Sequence, residues 1–149
     1  MSRLVPAIAV TLCACASAPE PAPAAPAVAA AAELDARRDP AFRVAASRGG
    51  TFTAGWRALG VGLRKNEYLE LEVFLFEGER PLSGAQLAVS GWMPDHGHGL
   101  VAFPRVTEAG AGRYLVAGLL LHMRGQWQLF FDVERGGYSE RIEFELELR

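Results

Sequence analysis

Cysteine is nearly absent from this chain of 149 residues, and its two copies, Cys13 and Cys15, both lie near the N-terminus. The sequence after Cys15 therefore has neither a disulfide framework nor a catalytic thiol. No apolar run reaches the roughly 18 residues that a membrane-spanning helix needs. An excess of basic charge is also lacking, because 15 lysines and arginines stand against 17 acidic residues. This balance argues against a nucleic-acid-binding protein, which needs a basic surface.

Residues 1–15 have the features of a bacterial lipoprotein signal peptide. The mostly apolar stretch from Leu4 to Leu12 is too short to span a membrane and has the length of a secretory signal core. It ends in Leu12-Cys13-Ala14-Cys15, which resembles a lipobox with Cys15 as the lipidated residue. This resemblance implies a lipid anchor, and the following Ala16-Ser17, in place of aspartate, favours the outer membrane and a periplasm-facing location. The alternative is an ordinary signal peptide with two incidental cysteines.

Residues 16–48 are predicted to be a linker rich in alanine and proline. Alternating proline and alanine favours an extended chain without a buried core. The prolines that set this pattern are Pro19, Pro21, Pro23 and Pro26. We expect the linker to hold the following domain, residues 49–149, away from the membrane.

From residue 49 onward, apolar and polar residues alternate with the two-residue period of β-strands. The stretch 142–148, Ile-Glu-Phe-Glu-Leu-Glu-Leu, predicts a strand with one buried face and one wet face. The same alternation places Trp127 in the core, and glycine-rich turns separate the runs. These patterns predict an all-β fold, an immunoglobulin-like antiparallel β-sandwich of about seven strands, with a small barrel as the alternative. No useful amphipathic helix is predicted, which disfavours α/β enzymes.

The histidines and methionines of this predicted domain are confined to two short segments. The first is 93–99, Met-Pro-Asp-His-Gly-His-Gly, and the second is the pair His122-Met123. Imidazole and thioether are ligands that suit copper, and the thioether suits Cu(I) in particular. We therefore predict a metal site, with copper as the ion. Its candidate ligands are Met93, His96, His98, His122 and Met123.

Each candidate ligand also has a structural interpretation. A His-Gly-His sequence can form a hydrogen-bonded turn, and Met93 can fill the core at a strand end. His122 and Met123 are neighbours that would point to opposite faces of a regular strand, so both can bind one ion only across a turn or bulge. Asp95 could bind the ion, orient a histidine ring, or cap the turn.

The order of these segments resembles the YtkA-like family, which is related to FixH proteins. The resemblance covers roughly residues 66–148 and rests on segment 93–99, on Gly112-Arg113-Tyr114, and on 121–129, Leu-His-Met-Arg-Gly-Gln-Trp-Gln-Leu. It implies an immunoglobulin-like sandwich in the bacterial envelope. FixH relatives are linked to the assembly of copper-containing terminal oxidases, which adds to the copper interpretation. Those proteins carry an N-terminal membrane helix where this chain has a lipobox, so the assembly role is not carried over.

Two functions of different kinds are compatible with these features. The first is an envelope-anchored module that binds copper or assists its handling, attached to the membrane by its lipid, with an envelope protein as a potential partner. The second is a structural or interaction lipoprotein without metal that docks onto an envelope partner, in which segment 93–99 is only a constrained loop. An enzyme is not expected, because no nucleophile and base pair is recognisable.

Overall fold

The computed structural model describes residues 35–149, and all of its regular elements in this range are β-strands. The lipobox, the predicted signal peptide and the linker up to residue 34 lie outside the described residues. Within the described range, no helix is long and apolar enough to cross a membrane. The strands are β1 (Arg43–Ala46), β2 (Phe52–Ala58), β3 (Tyr68–Glu77), β4 (Arg80–Pro81), β5 (Gln86–Met93), β6 (His98–Gly99), β7 (Arg105–Gly110), β8 (Arg113–Leu120), β9 (Gly125–Arg135) and β10 (Tyr138–Leu148).

These strands form two antiparallel sheets that share one core. The six-stranded sheet has the order β1-β2-β3-β8-β7, with β4 paired to β3, and the four-stranded sheet has the order β10-β9-β5-β6. Trp56 of the first sheet meets Phe131 and Phe144 of the second, with ring centroids 6.5 and 5.9 Å apart. The predicted all-β, immunoglobulin-like antiparallel sandwich is thus confirmed.

Buried and more exposed residues alternate along β9 and β10, and the buried ones are those that the sequence pattern predicts for the core. Trp127, Leu129, Phe131 and Val133 of β9 are all fully buried, while the residues between them are only partly covered. In β10 the glutamates of the 142–148 stretch face solvent. Burying each large apolar side chain stabilises the fold by roughly 1.5 to 3 kcal/mol. The face of the strand that carries every second, apolar residue is therefore the one that packs into the core.

The strand count exceeds the predicted seven for a local reason. β4 and β6 contain two residues each, too few for any alternation to show in the sequence. β1 pairs with β2 from Arg43 opposite Trp56 to Ala46 opposite Thr53, so the six-stranded sheet includes residues that the sequence analysis assigned to the linker. The β1 sequence Arg-Val-Ala-Ala is largely exposed and carries no alternating signal.

The two segments that contain the candidate ligands lie in or next to two chain connections at one end of the sandwich. β5 ends at Met93, and a turn over residues 94–97 leads into β6. β8 ends at Leu120, and residues 121–124 cross from the six-stranded to the four-stranded sheet before β9 begins. Because β9 pairs with β5, with Gln128 opposite Trp92, both connections lie at the same end.

Candidate metal site

Segment 93–99 forms a tight hairpin. The backbone amides of His96 and Gly97 both donate to the carbonyl of Met93, at 3.2 and 2.9 Å. Gly97 has a φ of 66°, in the left-handed region that glycine adopts most easily. The chain returns as β6 with His98 directly opposite Met93. Opposite residues of an antiparallel pair project to the same face, so His98 is directed to the core side of the sheet.

His122 and Met123 lie in the connection between β8 and β9, outside any regular strand. The rule that neighbours point to opposite faces therefore does not apply to them. The indole Nε1 of Trp127 donates a hydrogen bond of 3.0 Å to the Met123 carbonyl, which fixes this connection against β9. Both side chains are half-buried.

The structure brings the second segment against the hairpin. His98 Nε2 lies 3.3 Å from the sulfur of Met123, and the rings of His98 and His122 have centroids 4.9 Å apart. Trp127, fully buried, lies beneath both rings, with its own ring edge-on at 6.1 Å from His98 and 5.5 Å from His122. Two imidazoles and a thioether thus lie together, half-buried, against the ring of Trp127.

The other predicted ligands lie around this group. His96 is exposed on the turn, and its ring centroid is 5.8 Å from that of His98. Met93 is fully buried in the core, with its methyl group where a side chain at Gly125 would stand, 3.1 Å from an ideal Cβ there. Asp95 is exposed. Over residues 35–149, no three histidine, cysteine, aspartate or glutamate side chains are placed to hold one ion, so a site here depends on a thioether.

Each ring nitrogen of His98 has one close neighbour. Nδ1 lies 3.2 Å from the Gly99 carbonyl oxygen, and Nε2 lies 3.3 Å from the Met123 sulfur. In the neutral tautomer with its proton on Nδ1, the ring donates to the carbonyl and directs the Nε2 lone pair at the sulfur, whereas in the other tautomer Nε2–H donates to the sulfur. The first tautomer sets two electron-pair donors side by side, which is the arrangement that a shared cation requires.

His122 has a ring nitrogen without a partner. Its Nδ1 is buried and has no hydrogen-bond partner among residues 35–149. Burying a polar nitrogen without a partner costs roughly 1 to 3 kcal/mol. A bound cation would offset this cost, and this atom is the evidence within the structure that the residues present fit a metal ion.

Sequence reasoning missed the contact of Trp127 with the two histidine rings. It placed Trp127 in the core, where the structure also has it, but alternation along β9 predicts only the face of the strand. The one feature of the sequence that could have indicated the contact is that Trp127 follows Met123 by only four residues, near the start of the strand.

Comparison with known proteins gives a fold and no family. No protein-family model matches the chain, and no match is found among curated proteins. Among solved structures, a DUF4426 family protein from Pseudomonas aeruginosa PAO1 superposes with a TM-score of 0.52 at 16% identity, covering 72% of this chain and 94% of that one. A copper-bound variant of FetP from uropathogenic Escherichia coli strain F11 gives a TM-score of 0.46 at 11% identity, covering 72% and 95%. The first likeness concerns the fold alone, and the second is too distant to support any inference.

Proposed function

We propose that this chain is an envelope-anchored binding module for copper, acting as a copper-handling accessory protein and not as an enzyme. The observation behind the proposal is the 3.3 Å approach of His98 Nε2, in β6, to the sulfur of Met123, in the connection between β8 and β9. His122 supplies a third donor with an unpartnered buried nitrogen. Met93 and His96 flank this group on its core side and its solvent side.

The donor types favour copper among the metals of the envelope. Imidazole binds several transition metals, but a thioether ligand selects copper in an oxidising compartment where thiolates are scarce. The ion would be held at the meeting point of the two connections, near the surface, where it can be received and released. Such a location suits an ion that the protein passes on and does not keep as a permanent cofactor.

The test is a copper competition titration against a chromogenic chelator. The full chain is used with both Cys13→Ser and Cys15→Ser, so that neither thiol binds the ion. His98→Ala should weaken binding by at least about 100-fold, since even an outer partner of a ligand costs about 10- to 100-fold. The control is Tyr138→Ala, an exposed residue of the hairpin at the far end of β9, which should leave affinity unchanged. Equal and weak affinity in all three proteins would refute the proposal.

We further propose that the chain is a lipoprotein related to the YtkA-like family, anchored through Cys15 in the outer membrane. The support is the lipobox pattern together with the order of the segments between residues 66 and 148. Cell fractionation tests it. The intact protein should sediment with outer membranes, and Cys15→Ser should release it to the soluble periplasmic fraction, whereas Cys13→Ser should not.

A second candidate function is an interaction module without metal, which docks onto an envelope protein. It is favoured by two exposed aromatic side chains near β6, Phe103 at 92% exposure and Trp92 at 41%. Crosslinking in intact cells would detect such a partner. If crosslinking and cellular function persist after both His98→Ala and His122→Ala, this second function is preferred over copper binding.

A further inference from the structure

We propose that the site formed by His98, His122 and Met123 selects a monovalent soft cation, Cu(I), over divalent ions. This inference rests on the proposed function and adds the charge state of the cargo. It follows from what the three donors have in common, since two neutral imidazoles and a thioether bring no negative charge to the ion.

The two chain segments that carry these donors do not supply that charge either. Asp95 is the one acidic residue in the segments 93–99 and 121–125, and it is exposed on the turn. Arg124, next to Met123, is basic and exposed. Over the described part of the chain, no acidic side chain joins a group of three ligands. An ion bound by the three donors therefore receives no neutralising charge from either segment.

Because the donors are half-buried, the absence of a negatively charged ligand affects divalent ions more than monovalent ones. His98, His122 and Met123 are half-buried, and the ring beneath them, Trp127, is fully buried. The free energy needed to remove an ion from water increases with the square of its charge. It is therefore about four times larger for a divalent ion than for a monovalent ion of the same size. Neutral donors recover less of that cost than carboxylates or thiolates do. The three half-buried donors therefore disfavour Zn²⁺ and Cu²⁺ more strongly than Cu(I).

The thioether acts in the same direction. Soft sulfur ligands bind Cu(I) well, whereas hard or borderline divalent ions prefer nitrogen and oxygen. Because His98 Nε2 lies 3.3 Å from the Met123 sulfur, an ion bound to that nitrogen also lies next to the sulfur. Met123 is thus the residue that determines specificity.

The experiment compares Ag(I), a monovalent probe that does not change oxidation state, with Zn(II), which also has a filled d shell but is doubly charged, smaller and harder. Both are titrated calorimetrically into the full chain bearing Cys13→Ser and Cys15→Ser. We expect Ag(I) to bind at least about 100-fold more tightly than Zn(II). Met123→Leu should weaken Ag(I) at least about 10-fold and leave Zn(II) within about 3-fold. Met123→His should strengthen Zn(II).

Leucine is close to methionine in volume, so the Met123→Leu chain should fold, as circular dichroism during heating would verify. Zn(II) binding as tight as Ag(I), or Ag(I) binding unchanged by Met123→Leu, would overturn the selectivity while leaving a metal-binding function in place. If neither ion binds the chain, the proposed function fails together with the inference.

Discussion

Two clusters of polar side chains in this molecule differ in whether their hydrogen-bonding groups have partners. On the outer face of the six-stranded sheet, the Glu72 side chain is only 6% exposed, yet its two oxygens are paired with Arg57 at 2.7 Å and Arg113 at 2.5 Å. The Phe42 ring lies 4.7 Å from the Arg57 guanidinium and covers it. Each charged group in this cluster has an oppositely charged partner within the fold, with the two arginines sharing one carboxylate.

The cluster at the end of the sandwich is built in the opposite way. His98 Nε2 has the Met123 sulfur beside it at 3.3 Å, and His122 Nδ1 has no hydrogen-bond partner among residues 35–149. A matched cluster contributes to stability and leaves nothing for a ligand to bind. An unmatched one costs stability in the free protein, and a ligand can recover that cost. The two clusters thus differ in whether their polar groups already have partners, and the unpartnered indole nitrogen of Trp56 shows that a missing partner does not by itself mark a ligand site.

The largest expected effect is on the matched cluster. Glu72→Ala leaves Arg57 and Arg113 without their shared carboxylate and should lower the free energy of unfolding by about 2 to 4 kcal/mol, somewhat below a fully buried pair because both arginines reach water. Copper affinity should not change. Urea unfolding measures the effect, and Glu70→Ala, an exposed glutamate on the same face of β3, is the control. A loss no greater than that of Glu70→Ala would show that the cluster is not structural.

A second prediction concerns Trp127, the ring against which the unmatched cluster lies. Trp127→Phe removes the hydrogen bond to the Met123 carbonyl and leaves a small cavity, so it should cost about 2 kcal/mol of stability. Because Met123 is no longer fixed, copper affinity should also fall, by about 10-fold.

Trp56→Phe is the matched control for that change. Trp56 is equally buried, but its Nε1 has no hydrogen-bond partner among residues 35–149, and it lies in β2, away from His98 and Met123. It should therefore lose stability from the cavity alone and keep full copper affinity, as measured by urea unfolding and chelator competition. Equal copper affinity in both variants would show that Trp127 does not position Met123.

The fold was largely predictable, because alternation in β9 and β10 follows directly from which residues are buried. β1 was not, because its Arg-Val-Ala-Ala sequence is exposed and resembles the alanine-rich stretch before it. The sequence also indicated which residue types could bind a metal. It could not indicate that the two segments meet, because this depends on β8 and β9 belonging to different sheets, so that their connection crosses the end of the sandwich at the β5–β6 turn.

Burial separated the candidate ligands in a way that residue type could not. Met93 and Met123 have the same side chain, yet one is enclosed in the core and the other lies against His98. His96 and His98 are two residues apart, but the glycine between them has a positive φ, and His96 remains on the exposed turn.

The third prediction is a substitution of a half-buried residue that does not lower the free energy of unfolding, although most such substitutions do. His122→Leu removes a nitrogen that has no partner, so the free energy of unfolding without metal should stay constant or rise by about 1 kcal/mol. Copper affinity should fall at least about 10-fold in the same protein. Paired unfolding curves with and without Cu(I) measure both effects. A destabilised metal-free variant would mean that His122 has a structural role, as Glu72 has.

The smallest effect concerns a third polar group, the Glu140 carboxylate, which has partners but lies nearer the surface. It accepts hydrogen bonds from the Ser47 hydroxyl, from the Thr51 hydroxyl at 2.6 Å and from the Thr51 amide at 3.3 Å. These bonds, that of Ser47 most of all, hold the pKa of the Glu140 carboxyl below its ordinary value of 4.5.

A lowered pKa means that the folded state binds this proton less readily than the unfolded state does. The stabilisation is therefore complete above the ordinary pKa and is lost as the pH falls through the lower value of the folded protein. Glu140→Gln should lower the thermal midpoint at pH 7 and flatten its decline in acid, whereas Glu145→Gln, an exposed glutamate of the same strand, should do neither. Parallel curves for all three proteins would mean that Glu140, despite its partners, contributes nothing to stability, and that having partners stabilises only polar groups as deeply buried as Glu72.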